Sequence, residues 1–155
     1  MQHKALNYLM FLKRKQTCTV KGQGCPDGCK QKEFIKKEEA NALTVSLPAL
    51  ILSCLQDAIK RRVTATGHIP GAFLQTDQLD DDEVIIRFDG PMVNALAKID
   101  PLVYRDKIQI VRNGKKILYA KAKKAICGTV RVAYLFWLKL SGSLKKWGFV
   151  PNPYR

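Results

Sequence analysis

The segment 107–121 constrains the fold most. KIQIVR and KKILYAK, two β-prone runs, flank Asn113–Gly114, the residue pair that favours a tight type I′ turn. The spacing predicts an antiparallel hairpin. Residues 6–15 and 19–23 read as a second strand pair turning at Gln16–Cys18, and 24–33, rich in Gly, Pro and charge, as a loop. EVIIRF predicts a strand at 84–88, preceded by β-prone VTAT at 63–66. Three helices are expected. One covers 48–60, with Pro48 in its first turn, Ser46 or Thr44 as cap, and Leu50, Ile51, Cys54, Leu55, Ala58 and Ile59 on one stripe. A short one covers 92–98 after Pro91. The last covers 129–147, with Ala133, Phe136, Trp137, Leu140, Leu144 and Trp147 on one face, and stops at Gly148. This order describes a mixed α+β domain.

The 155 residues suit one domain, and a composition 46% hydrophobic and 26% charged is globular rather than disordered. No run of 18 apolar residues could span a membrane, and MQHKALNYLMFLKRK lacks the parts of a secretory signal. The five cysteines are odd in number and unevenly spread, so an intracellular, reducing compartment is expected, cytoplasmic or nuclear.

The formal charge of +14 is distributed in blocks. Residues 1–62 carry +7, residues 63–104 carry −5 and residues 105–155 carry +12. Two basic blocks concentrate polyanions near the surface and make their binding depend on salt; a lysine-rich solvated surface is the plainer reading. Generic chemistry adds little. Cys18, Cys25 and Cys29 are spaced C-x6-C-x3-C with no His nearby, short of a four-ligand zinc site. His3 and His68 are the only histidines and join no nucleophile arrangement. Asp80–Glu83 reads as a solvated acidic turn, and GxG at 22–24 lacks the rest of a phosphate-binding motif.

HIPGAFLQTD at 68–77 resembles the first catalytic motif of copia-type retrotransposon reverse transcriptases, in which an Asp is followed by a short link and AFL. Other segments resemble the same family in the same order. FLKRK…TVKGQGCPDGCKQ is similar to its fingers region, KKEEANALTVSLPALILSCLQDA to the "TVS…L" segment and helix, and KKAICGTVRVAYLFWLKLSGSLKKWGF to its LYG-type motif and following helix. The resemblance implies the fingers (1–62) and the start of the palm (63–155) of an RNA-directed DNA polymerase. The expected fold is an incomplete antiparallel sheet with packed helices.

It also implies partners and sites. The family copies an RNA template onto a DNA primer from dNTPs, using two Mg²⁺ ions held by carboxylates. Lys21, Gly71, Ala72, Phe73, Gln75 and Gly128 would lie around the nucleotide. Phe73 would crowd a ribose 2′-OH or serve as a core aromatic. Lys21 would face phosphate or solvent, and Gly128 would allow close approach to a base pair or simply turn the chain. Arg131, Lys139, Lys145 and Lys146 would line the template–primer track or face solvent.

Departures from the family pattern set the expected activity. His68 occupies the position of the first metal-binding Asp, and imidazole is a poor ligand for hard Mg²⁺. Asp77, nine residues on, is not placed to substitute. Cys127 stands where Tyr is usual, Gln23 and Cys29 stand where Arg is frequent, and the sequence reaches Arg155 before any YxDD segment. The expectation is a truncated, degenerate copy that does not hold Mg²⁺ productively and does not polymerise. His68→Asp alone would not rescue it. The alternatives are a non-catalytic RNA- or DNA-binding module, an inert product of a decayed element, and one piece of a larger polyprotein. An incomplete palm would leave sheet edges unpaired and Phe136, Trp137 and Trp147 exposed.

Overall fold

A computed structural model describes residues 5–42, 44–79 and 82–150. Among these residues five strands form one sheet: β1 (Leu6–Arg14), β2 (Val20–Pro26), β3 (Ile85–Asp89), β4 (Gln109–Ile110) and β5 (Lys116–Lys121), in the order β2-β1-β3-β5-β4. The helices are α1 (Lys37–Ala40), α2 (Leu47–Ile59), α3 (Pro91–Ile99), α4 (Pro101–Tyr104) and α5 (Val132–Lys146). No helix among the described residues is long and apolar enough to cross a membrane.

The α+β expectation holds, with one change in the sheet. β1 runs parallel to β3, through Leu6–Ile86 and Asn7–Arg87, while the other pairings are antiparallel. That parallel step carries the sheet across residue 62. The core lies where it crosses: Leu6, Val84, Ile86 and Ala122 are buried together, flanked by Tyr8, Phe88 and Ile126. The Tyr8 and Phe88 rings sit 4.7 Å apart. A second cluster joins Ala125, Val132 and Leu135 to Phe73.

Several local expectations are corrected. The Asn113–Gly114 turn is not type I′, because only Gly114 has positive φ, at +75°. The Gly114 N–H donates to Val111 O at 2.8 Å and the Val111 N–H to Lys115 O at 3.0 Å, closing a three-residue loop that ends on a left-handed glycine. Asn113 instead accepts the Lys115 N–H on Oδ1 at 3.2 Å. β2 extends through Gly24–Pro26, where a loop was expected, and Asp27 then caps a short 3-10 turn, Gly28–Glu33. Residues 63–66 form no strand and are exposed.

The three expected helices form, joined by α1 and α4, which were not expected. In α2, Ser46 caps as anticipated, its Oγ accepting the Ala49 N–H at 3.4 Å, yet the apolar stripe stays exposed: no α2 residue is buried. In α5 the buried residues are Val132 and Leu135, both off the stripe read from the sequence. Phe136 and Trp137 are half-buried rather than exposed, and Trp147 is exposed.

Candidate nucleic-acid interface

The β1–β2 hairpin leaves the core at Tyr8 and runs into solvent. Its register sets Phe11 opposite Gln23 and Lys13 opposite Lys21. Strand alternation gathers Phe11, Lys13, Gln23 and Lys21 on one face and Met10, Leu12, Arg14, Val20 and Gly22 on the other. Both faces are open, with Phe11 58% and Leu12 71% exposed. The turn closes through the Lys15 N–H to Thr19 O at 2.8 Å and the Cys18 N–H to Lys15 O at 3.0 Å. Lys13, Arg14, Lys15 and Lys21 have no ion-pair partner among the described residues. Like charges placed opposite each other across two strands repel, and an anion lying over the pair relieves that repulsion.

The 68–77 motif is split by the fold. His68 lies in exposed coil. Gly71 adopts φ +58° with open space around it, and Ala72 leads into a 3-10 turn, Phe73–Gln75. Phe73 points inward and meets Phe136 edge to face, centroids 5.8 Å apart. Half-buried, it packs against the second cluster. The Gln75 side chain donates to Pro70 O at 2.9 Å, and its main-chain oxygen accepts the Lys139 ammonium. Phe73, Gln75 and Lys139 thus come together where the turn meets α5. Beyond them, the Ala125 N–H donates to Thr76 O at 2.9 Å and the Gln78 N–H to Lys123 O at 3.1 Å, which stitches the motif to the end of β5. Asp77 bonds the Lys124 ammonium, and that hydrogen bond holds its carboxyl below the ordinary value.

Gly128 marks a tight crossing between the two halves. It adopts φ +107°, and a Cβ there would stand 2.3 Å from Pro26 O and 3.0 Å from the Cys25 Cβ. A Cβ on Gly28 would stand 2.3 Å from Gly128 O. The close approach expected of Gly128 is therefore to this chain's own hairpin base. Beside it lies Gln31, which sequence reading missed because no periodicity or motif marks a polar residue for burial. Gln31 is 4% exposed, and its Oε1 accepts the Val130 N–H at 3.0 Å. Gln31→Leu, which leaves that half-buried donor without its partner, is expected to cost about 1–3 kcal/mol in chemical denaturation.

Arg131 follows directly. Its guanidinium pairs with Glu39 of α1 and, at 3.2 Å, with Asp82. Burial works to lower its pKa, but the Glu39 hydrogen bond and the Asp82 charge outweigh this and hold it above the ordinary value. Arg131 is thus engaged within the chain, as a clasp between α1, the acidic turn and α5. Lys145 and Lys146 sit in the last turn of α5, exposed and without ion-pair partners among the described residues.

Among the described residues no three His, Cys, Asp or Glu side chains come together in a metal-holding arrangement. Asp77, before the acidic turn, and Asp82, within it, are committed to Lys124 and Arg131.

Comparison with known proteins finds no matching family model, no matching curated protein and no matching solved structure.

Proposed function

We propose that this chain is a copia-type reverse-transcriptase-like module that holds RNA without copying it. The observation that carries the reading is the β1–β2 hairpin, where Lys13 and Lys21 face each other beside exposed Phe11, with Arg14 and Lys15 at the tip. Cations spaced along an extended ribbon track a phosphate backbone, and an exposed ring gives a base a surface to stack on. The family resemblance supports RNA as the strand and accounts for both basic blocks. The template, primer, dNTP and Mg²⁺ of the full polymerase belong to the family. In this chain His68 stands where the family has its first metal carboxylate, and of the described aspartates nearby Asp77 is paired with Lys124 and Asp82 with Arg131.

Fluorescence anisotropy with a labelled single-stranded RNA tests this. The logarithm of affinity should fall linearly with the logarithm of salt concentration. Absence of binding at low salt, or binding indifferent to salt, would overturn the proposal. Primer extension on an RNA template with Mg²⁺ and dNTPs should yield no product, and product above a protein-free control would overturn the non-catalytic part.

A further inference from the structure

β2 ends the sheet, and its outer edge is open. The hairpin register fixes which main-chain groups face that edge. The Lys15 N–H donates to Thr19 O and the Asp27 N–H to Asn7 O, both at 2.8 Å, so Lys15–Thr19 and Asn7–Asp27 are hydrogen-bonded pairs. Antiparallel ladders alternate, so Leu9–Cys25, Phe11–Gln23 and Lys13–Lys21 are the hydrogen-bonded pairs between them. Lys21, Gln23 and Cys25 therefore turn their N–H and C=O groups toward β1. Val20, Gly22 and Gly24 turn theirs outward, giving three donors and three acceptors at a spacing of two residues. No hydrogen bond among the described residues uses them. Beyond Gly24 the edge closes, because the Gly128 segment crosses at Pro26 O.

The two sides of this edge differ. On the side of Val20 and Gly22 lie exposed Met10 and Leu12. A Cβ on Gly22 would stand 3.5 Å from Leu12 Cδ2 and 3.7 Å from Met10 Sδ, so those side chains lean over the glycine. On the other side Lys21 stands opposite Lys13, and neither has an ion-pair partner among the described residues. A strand added here would send alternate side chains to the two sides. Those opposite Val20 and Gly22 meet apolar surface, and the one opposite Lys21 meets the cation. A second copy would bring its own basic hairpin to the edge, and like charges disfavour that pairing. An RNA backbone offers no ladder of N–H and C=O groups.

We infer that the outer edge of β2 takes up, as an added strand, an extended segment of a partner protein in which apolar and acidic residues alternate. The segment's main chain pairs with Val20, Gly22 and Gly24. Its apolar side chains lie beside Val20, Leu12 and Met10, and its carboxylates face Lys21. In such strand addition the main-chain ladder supplies affinity and the alternate side chains supply specificity. The inference rests on the open edge and stands whether or not the hairpin holds RNA.

Amide hydrogen exchange of the full chain, followed by NMR with the end-capped peptide Val-Glu-Val-Glu-Val, tests it. Exchange should slow at the Val20, Gly22 and Gly24 N–H groups and change little at Lys21 and Gln23, whose N–H groups already bond β1. Methylating the main-chain nitrogen of the central valine removes the N–H that would bond Gly22 O, and should weaken binding about tenfold. Methylating a glutamate nitrogen, which points away from β2, should leave binding unchanged. Lys21→Glu should reverse the preference, weakening this peptide and favouring Val-Lys-Val-Lys-Val. No slowing, uniform slowing along β2, equal loss from either methylation, or equal binding of both peptides by the parent chain would each overturn the inference. Slowing of the same amides by raised protein concentration alone would assign the edge to a second copy, and slowing by single-stranded RNA would assign it to RNA; either would overturn it too.

Discussion

Gly128→Ala is expected to lower the stability of this protein by about 3–5 kcal/mol, combining forced overpacking with backbone strain. The added methyl would arrive 2.3 Å from the Pro26 carbonyl oxygen, and a backbone atom cannot swing aside as a side chain can. The residue would also have to hold φ +107°, a conformation that L side chains rarely adopt. Since natural domains are stable by about 5–15 kcal/mol in total, much of the margin would disappear. Urea denaturation of the purified chain measures this. Gly114→Ala is the control, because Gly114 also has positive φ, +75°, but open space around its Cβ position. It carries the strain without the clash. If the two variants lose equal stability, the hairpin base and the Gly128 segment do not cross closely enough for the added methyl to clash.

The second large effect concerns RNA. Replacing Lys13, Arg14, Lys15 and Lys21 together with glutamine should flatten the dependence of log affinity on log salt by about 3 for single-stranded RNA, given a slope near −0.7 per phosphate contact. Phe11→Ala should weaken binding by about 1–3 kcal/mol with little change in that slope, because stacking does not displace counterions. The comparison variant replaces Lys145 and Lys146 at the far end of α5. If it flattens the salt dependence as much as the hairpin variant does, net charge rather than the hairpin governs binding. None of these side chains is buried, so the variants should fold as the parent does.

What the sequence made legible was local. The Ser46 cap and Pro48 marked the start of α2, the EVIIRF run marked β3, Pro91 opened α3, and Gly148, at φ +87°, ends α5. These signals act within a few residues of where they are written. The inward face of α5 was not legible. It depends on Phe73 and Ala125 approaching Val132 and Leu135, and those residues come from separate segments. The Asn113–Gly114 pair marked a reversal correctly but did not determine its length, because the Asn113 side chain satisfied the Lys115 N–H without a second left-handed residue. For the candidate site, the basic residues of the hairpin were visible as charge, whereas the opposition of Lys13 and Lys21 required the register. Arg131 was read as part of a nucleic-acid track because its partners, Glu39 and Asp82, lie far from it in the sequence.

The bare helix α2 bears on how this molecule loses its structure. A 13-residue helix is near the length at which helices in water are marginal without help from packing. With no buried residue, α2 draws little support from the sheet and lends it little in return. The chain should therefore come apart in stages as temperature rises. Helical ellipticity should fade over a broad range first, and the near-ultraviolet signal of Tyr8, packed on Phe88, should vanish later and more sharply. A single melting temperature would describe neither event.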